Sequence, residues 1–183
     1  MNYLGNDIVS LSSEANRLSF GNVEYLKRAF NEEEIRTIQD LPHLPMAELI
    51  WSCKESSYKV LVKHGLRKSF SPGLYEVSIN NKSIEHSSGK QWIIGHVLYG
   101  RELVYSASTY QDDYVHTICS MTPVDDSILC GVKKSDLHDP CKESRSTWDF
   151  ALNRISDELK CSRESLTRHV DPVTGISSLS SSI

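Results

Sequence analysis

The sequence predicts an α+β protein in which an antiparallel meander of strands packs on one long helix. Residues 46–63 carry apolar side chains at helical spacing and form the strongest helix pattern in the chain. Four short segments rich in β-branched and aromatic residues follow between residues 75 and 121, separated by turn-forming residues. A long helix followed by consecutive strands is typical of the α+β class.

The N-terminal part of the chain is predicted to contain a short strand and a helical region. Residues 3–11 combine a β-branched pair with a polar break, which favours a strand. Residues 22–39 place apolar side chains at helical spacing. The segment NEEE at 31–34 would start a further helical turn within them, so either one helix or two is expected. Two prolines within residues 41–45 end this region.

The rest of the chain divides into a sheet and an appendage. We expect residues 1–124 to form a core domain that carries any site. Residues 125–183 would add a polar connection, an amphipathic helix at 148–159 and a poorly ordered Ser-rich tail. The strands of the sheet are predicted at residues 75–79, 91–98, 103–110 and 114–121.

Composition limits the function classes. The chain has 183 residues, 39% of them hydrophobic, and its net charge of −4 argues against a general nucleic-acid binder. Its 5 cysteines are widely spaced without a CxxC pair, which favours reduced thiols over a disulfide framework or a zinc site. The N-terminus lacks signal-peptide features, and no segment approaches the roughly 18 apolar residues of a membrane span. A soluble, cytoplasmic protein without a membrane partner is expected.

Glu55 and Lys59 lie one turn apart on the long predicted helix, on the side opposite its apolar stripe. The simplest interpretation is a surface ion pair that contributes about 0.3–0.5 kcal/mol. Trp51, Tyr58 and Val62 flank the two charges, however. Such neighbours favour a second packed surface with a carboxylate and an ammonium group at its edge.

A further carboxylate, Asp7, falls within the apolar N-terminal strand, where an unpaired charge is costly. A turn or cap residue is the plainer alternative. An Asp on a strand, together with a helical Glu beside a Lys, is also what a Mg²⁺ site facing a phosphate requires. Mg²⁺ takes oxygen ligands and uses few protein carboxylates, and a lysine meets the phosphate as a point charge.

Three of these segments together resemble the 4′-phosphopantetheinyl transferase superfamily, which includes the holo-acyl-carrier-protein synthases. That family shows an early (G)xDIV strand, an F-(T/N)-x-x-E segment and a W-x-x-K-E-(A/S)-x-x-K helix. The chain matches them with GNDIV at 5–9, FNEEE at 30–34 and WSCKESSYK at 51–59. The sequence GLRKSFSP at 65–72 resembles the basic loop that follows the family helix, and the resemblance extends over residues 3–120.

The resemblance implies an α+β transferase that moves 4′-phosphopantetheine from coenzyme A to a serine of an acyl or peptidyl carrier protein, such as those of fatty-acid or polyketide synthesis. It implies that Asp7 and Glu55 hold Mg²⁺, and that Glu55 and Lys59 are catalytic. Glu55 would help to deprotonate the carrier serine, and Lys59 would neutralise phosphate charge. The implied coenzyme-binding residues are Lys54, Lys59, Lys63, Arg67 and Lys68. Each of them except Lys59 is also explained, taken alone, as a solvated surface charge.

The chain departs from the family pattern at three points. Where the family has S-x-S-H, residues 106–109 read SAST, without the histidine. Position 9 is a valine, so we expect a metal site with two carboxylates rather than three. Some relatives carry an S-x-S-H-H-G strand where this chain ends in DPVTGISSLSSSI, so either the chain is truncated there or it dispenses with that element. Residues 125–183 would then be an incomplete second half-domain.

Two alternatives to an enzyme stay open at this point. One is a non-catalytic module of the same fold that binds coenzyme A or a carrier protein and has lost turnover together with the histidine. The other is a small structural α+β protein in which the pair Glu55 and Lys59 has no function. Retention of Asp7 as well as that pair favours the enzyme. The sequence sets neither the carrier protein nor the oligomeric state.

Overall fold

The structure is a computed structural model that describes residues 3–66, 69–85, 91–124, 132, 140–170 and 177–181. The chain forms two compact units, Met1–Leu129 and Cys130–Ile183, which are described separately. Within the described residues, no helix has both the length and the apolar character needed to span a bilayer.

The first unit is an α+β fold of four helices and a five-stranded sheet among its described residues. The helices are α1 (Glu14–Phe20), α2 (Val23–Ala29), α3 (Glu32–Asp40) and α4 (Met46–Lys63). The strands are β1 (Leu4–Ser10), β2 (Glu76–Glu85), β3 (Gln91–Tyr99), β4 (Glu102–Tyr110) and β5 (Tyr114–Ser120). The strand order is β1-β5-β4-β3-β2, and every neighbouring pair is antiparallel. The predicted fold class, a meander on one long helix, is confirmed.

The helical region before α4 differs from the prediction in its number of helices. Helix α1 was not predicted, and the segment predicted as one or two helices forms α2 and α3. Asn22 and Asn31 separate them, because each caps a new helix with its side-chain oxygen. Asn31 and Glu34 form a capping box, in which each side chain accepts a hydrogen bond from the other's main-chain N–H.

Helix α4 packs its apolar stripe on the sheet. Leu49, Cys53 and Val60 are buried there against a cluster of valines from the strands. The burial alternates along β1, so that Gly5, Asp7 and Val9 face inward while the residues between them are exposed. As a result, an acidic side chain from β1 points towards the same side of the sheet as α4.

Small polar side chains fill the contact between α4 and the middle of the sheet. Ser56 Oγ donates to the main-chain oxygen of Thr117 at 3.2 Å. Cys53 Sγ lies 3.4 Å from Ser108 Oγ, which lies 2.9 Å from Thr117 Oγ1. The Ser-x-Ser segment at 106–108 therefore belongs to the helix–sheet interface. Each of these buried side-chain groups therefore has a hydrogen-bond partner within the contact.

The second unit contains helix α5 (Pro140–Leu159) and a hairpin of two antiparallel strands, β6 (Leu166–Val170) and β7 (Ser177–Ser181). The helix begins earlier than the predicted 148–159. The described part of the Ser-rich tail is strand β7, whose backbone pairs with β6. The Arg163 guanidinium bonds Asp149 and Asn153 on α5.

Candidate active site

Asp7, Glu55 and Lys59 meet where β1 passes α4. Lys59 Nζ donates to Asp7 Oδ1 at 2.9 Å and to the main-chain oxygen of Asn6 at 2.9 Å. The same nitrogen lies 3.4 Å from Glu55 Oε1. Since both carboxylates contact one ammonium group, they lie on the same side of the first unit. We refer to these three side chains as the acidic centre.

The members of the acidic centre differ in exposure. The Asp7 side chain is 9% exposed, whereas Lys59 is 38% and Glu55 is 34% exposed. Asp7 is inward-facing because of its position on β1, and its main-chain oxygen accepts a hydrogen bond from Ser52 Oγ on α4 at 3.4 Å. The centre therefore has a fixed, buried carboxylate at its base and an accessible carboxylate and ammonium group at its mouth.

Gly5 allows β1 to approach α4 closely enough to form the centre. A Cβ atom at this position would lie 2.0 Å from the main-chain oxygen of Ser56 and 2.9 Å from Val60 Cγ2. Backbone cannot move aside as a flexible side chain can, so position 5 has no room for a larger residue. Asp7 follows two residues later on the same face of the strand and reaches Lys59.

Lys63 continues the positive charge of Lys59 along α4. Its Nζ donates to the main-chain oxygen of Leu4 at 2.7 Å. Burial, and then the charge of Lys59, lower the pKa of Lys63 below the ordinary lysine value. Two ammonium groups therefore lie along β1, next to the accessible carboxylate of Glu55, in an arrangement that can bind an anion.

Aromatic residues form a wall beside Glu55. The Trp51 ring lies 5.6 Å from that of Phe70 and 5.9 Å from that of Tyr25, and Tyr58 stacks at 5.2 Å from Phe70. This confirms the predicted second packed surface of α4. Burial and, to a smaller degree, the charge of Glu55 raise the pKa of Tyr25, which therefore lies near that carboxylate.

Lys54 is not part of this accessible region. Its side chain is fully buried, and its Nζ donates to Glu34 Oε2 at 2.7 Å, to Ala29 O at 2.8 Å and to Pro72 O at 3.1 Å. Burial lowers the pKa of Lys54, and the ion pair with Glu34 opposes that effect. An ammonium group has three donors, and all three are used inside the fold. The predicted role of Lys54 in binding the coenzyme stays a prediction, and it would require these buried contacts to break.

Glu34 is the residue whose role the sequence did not reveal. Its Oε2 accepts hydrogen bonds from the Asn31 N–H at 2.9 Å and from Lys54, and its Oε1 accepts one from the Val77 N–H at 2.8 Å. The capping-box spacing of Asn31 and Glu34 was the available signal. It marks a helix start but gives no indication of a buried lysine 20 positions further along the chain.

The remaining predicted residues are placed as follows. Arg67 and Lys68 lie outside the described residues, so their predicted role in binding the coenzyme stays a prediction. Thr109, which stands where the family has a histidine, is buried on β4 and faces His116 across the strand pair.

The acidic centre fits a divalent cation. Asp7 and Glu55 supply the carboxylate oxygens that Mg²⁺ prefers, beside a lysine suited to a phosphate. In the part of the chain that the structure describes, no three His, Cys, Asp or Glu side chains cluster as metal ligands. Asp7 and Glu55 would supply two carboxylates to a cation here, and Mg²⁺ commonly leaves its other positions to water or to phosphate oxygens.

The fold and the acidic centre together define an α+β protein with a carboxylate–ammonium site between a strand and a helix. A family model described as the 4′-phosphopantetheinyl transferase superfamily matches residues 3–119, which include the acidic centre and nearly all of the five-stranded sheet. The chain therefore belongs to the 4′-phosphopantetheinyl transferase superfamily. No curated protein matches the chain.

Proposed function

We propose that the chain transfers 4′-phosphopantetheine from coenzyme A to a serine of an acyl or peptidyl carrier protein, in a Mg²⁺-dependent reaction. The observation that carries this proposal is the shared contact of Asp7 and Glu55 with the ammonium group of Lys59, in a chain that belongs to this superfamily. A structural ion pair alone would not need a buried strand carboxylate next to an exposed helical one.

The reaction is a phosphoryl-group transfer. The serine Oγ forms a bond to the coenzyme phosphorus that carries pantetheine, and the bond from that phosphorus to the bridging oxygen breaks. Adenosine 3′,5′-bisphosphate leaves with the electron pair, and the serine proton passes to a base. Positioning and charge neutralisation dominate such reactions.

The proposed base is Glu55, because its carboxylate is accessible while that of Asp7 is buried. Asp7 and Glu55 would hold Mg²⁺, which when bound supplies positive charge to the coenzyme pyrophosphate. The longest of the three contacts of Lys59 is the one to Glu55. We propose that this contact is exchanged for a phosphate oxygen, while Asn6 and Asp7 keep the ammonium group in place.

The coenzyme phosphates would also meet Lys63, whose ammonium group lies next in line on α4. Arg67 and Lys68 remain proposed contacts, as basic residues of the segment that follows this helix. The buried free thiols of Cys53 and Cys119 suit a reducing compartment, and we propose a cytoplasmic location.

Mass spectrometry of an apo-carrier protein tests the proposal directly. Incubation of an apo-acyl carrier protein with the chain, coenzyme A and Mg²⁺ should add about 340 Da, one phosphopantetheine joined by phosphoryl transfer. The gain should disappear with a chelator, with Glu55→Gln and with Asp7→Asn. Glu48→Gln, which removes another carboxylate of α4 outside the acidic centre, is the matched control and should retain the gain.

Calorimetric titration with coenzyme A and Mg²⁺ separates the alternatives. Binding without a mass gain on fatty-acid, polyketide or peptide carriers would replace the transferase by a binding module. Absence of both binding and mass gain would contradict the proposal and leave only a structural α+β domain.

A further inference from the structure

A single buried ion pair joins four segments of the first unit around α4. Lys54 and Glu34 are 0% and 1% exposed, and their charged atoms lie 2.7 Å apart. Lys54 also bonds the last residue of α2, Ala29, and the short 3₁₀ turn at Pro72–Leu74. Glu34 also bonds the start of α3 and the main chain of β2 at Val77.

Lys54 directly precedes Glu55 on α4. Successive residues of an α-helix point about 100° apart, so the direction in which Lys54 is held fixes the direction of Glu55. Tyr25 lies on α2, whose last residue the ammonium group of Lys54 bonds. The ion pair thus constrains both the rotation of α4 and the position of the aromatic wall beside Glu55.

Stability alone does not account for such a pair. Removing two charges from water is costly, and replacing a buried ion pair by apolar residues of similar volume is often neutral or stabilising. Charged groups add a directional constraint on the surrounding segments, because three donors and two acceptor oxygens find all their partners in only one arrangement of those segments. At Lys54 and Glu34 those partners come from α2, α3, β2 and the turn at Pro72–Leu74.

We propose that Glu34 and Lys54 are positioning residues of the acidic centre, which hold α4 in the rotation that brings Glu55 and Lys59 to Asp7. Neither residue touches the substrate in this proposal. The expected effect on turnover rests on the proposed transferase function. The expected effect on the contacts of Lys59 rests only on the geometry of the acidic centre.

A double-mutant cycle with Glu34→Gln and Lys54→Met tests the effect on turnover. Each single variant leaves a mismatched buried partner and should unfold at lower urea concentration than the parent. The double variant should recover most of that stability, since it buries no unpaired charge. Its kcat should nevertheless stay about 10- to 100-fold below the parent, as expected for a misplaced catalytic group, and KM for coenzyme A should rise, because the proposed phosphate contact Lys59 lies on the same helix.

A purely structural role makes the opposite prediction. In that case kcat would return together with stability in the double variant, and the inference would be wrong while the proposed function stands. Val97→Ala is the matched control. It removes packing from a fully buried core position on β3, away from the ion pair, and should lower stability while leaving the kcat of the folded protein unchanged.

A second measurement does not depend on activity. The ¹H–¹⁵N resonance of the Lys59 ammonium group reports its contacts with Asn6 and Asp7. It should shift and lose protection from solvent exchange in the double variant, and stay unchanged in Val97→Ala. An unchanged resonance in the double variant overturns the inference, even if the parent protein proves to have no transferase activity.

Discussion

Lys54 and Lys59 are five residues apart on the same helix and both contact carboxylates, yet their surroundings are opposite. Lys54 is fully buried and all its donors are used by fixed groups of neighbouring segments. Lys59 is 38% exposed and faces one buried and one accessible carboxylate. The comparison teaches that residue type and helical spacing do not decide whether a charge is available to a ligand. Burial decides it, because both members of the Lys54–Glu34 pair are buried whereas Lys59 and its neighbour Glu55 are accessible.

The largest expected effect is on the free energy of unfolding, which should depend far more on the surroundings of Lys54 than on those of Lys59. Lys54→Met should lower the free energy of unfolding by about 3–5 kcal/mol, because it leaves the Glu34 carboxylate buried without its partner. Glu55→Gln, which alters the accessible side of the helix, should lower it by at most about 1 kcal/mol. Urea unfolding followed by circular dichroism gives both values. Similar losses for the two variants would contradict the distinction.

Gly5→Ala should show that the accessible side also depends on close packing. The added Cβ meets the Ser56 main-chain oxygen at 2.0 Å, so β1 must move away from α4. We expect a loss of about 1–3 kcal/mol, together with reduced transfer because Asp7 moves with the strand. Thermal unfolding and the carrier mass assay measure the two effects. Ser10→Ala, at an exposed position of β1, should change stability by less than about 0.5 kcal/mol.

A smaller effect concerns pH and the accessible ammonium groups. Burial and the charge of Lys59 lower the pKa of Lys63 below 10.5. As pH rises through that lowered pKa, Lys63 loses its proton and with it the attraction for phosphate. The affinity for coenzyme A should therefore begin to fall at a lower pH than it would if Lys63 had the pKa of an ordinary lysine. Lys63→Arg stays charged and should weaken this decline several-fold in calorimetric titrations between pH 7 and pH 10. An identical alkaline decline would exclude Lys63 from binding.

The smallest expected effect concerns thiol accessibility on the buried side of α4. Burial raises the pKa of Cys53 and of Cys119, and the thiolate is the reactive form. Both should resist iodoacetamide in the folded protein, whereas the half-buried Cys161 of the second unit should react. Peptide mass mapping before and after denaturation measures this difference. Rapid labelling of Cys53 in the native protein would show that the helix–sheet contact opens readily.

Sequence patterns predicted the accessible side of α4 better than its buried side. The spacing of Glu55 and Lys59 predicted their contact, because residues four apart in a helix are neighbours whatever the rest of the fold is. The burial of Lys54 was missed, since its partner Glu34 belongs to another helix and a lysine is rarely fully buried unless paired. Helix α1 was missed for a related reason. It has only 7 residues, and its last residue, Phe20, packs against Trp51 far along the chain.

The pairing of β1 has a consequence for biosynthesis. Leu4 lies opposite Ser120 in the sheet, so β1 is completed by a strand that is synthesised more than a hundred residues later. Contacts of such long range are slow to form. A nascent chain must therefore carry Asp7 without its strand partner until β5 has emerged, and we expect this segment to be the last part of the first unit to become protected during translation.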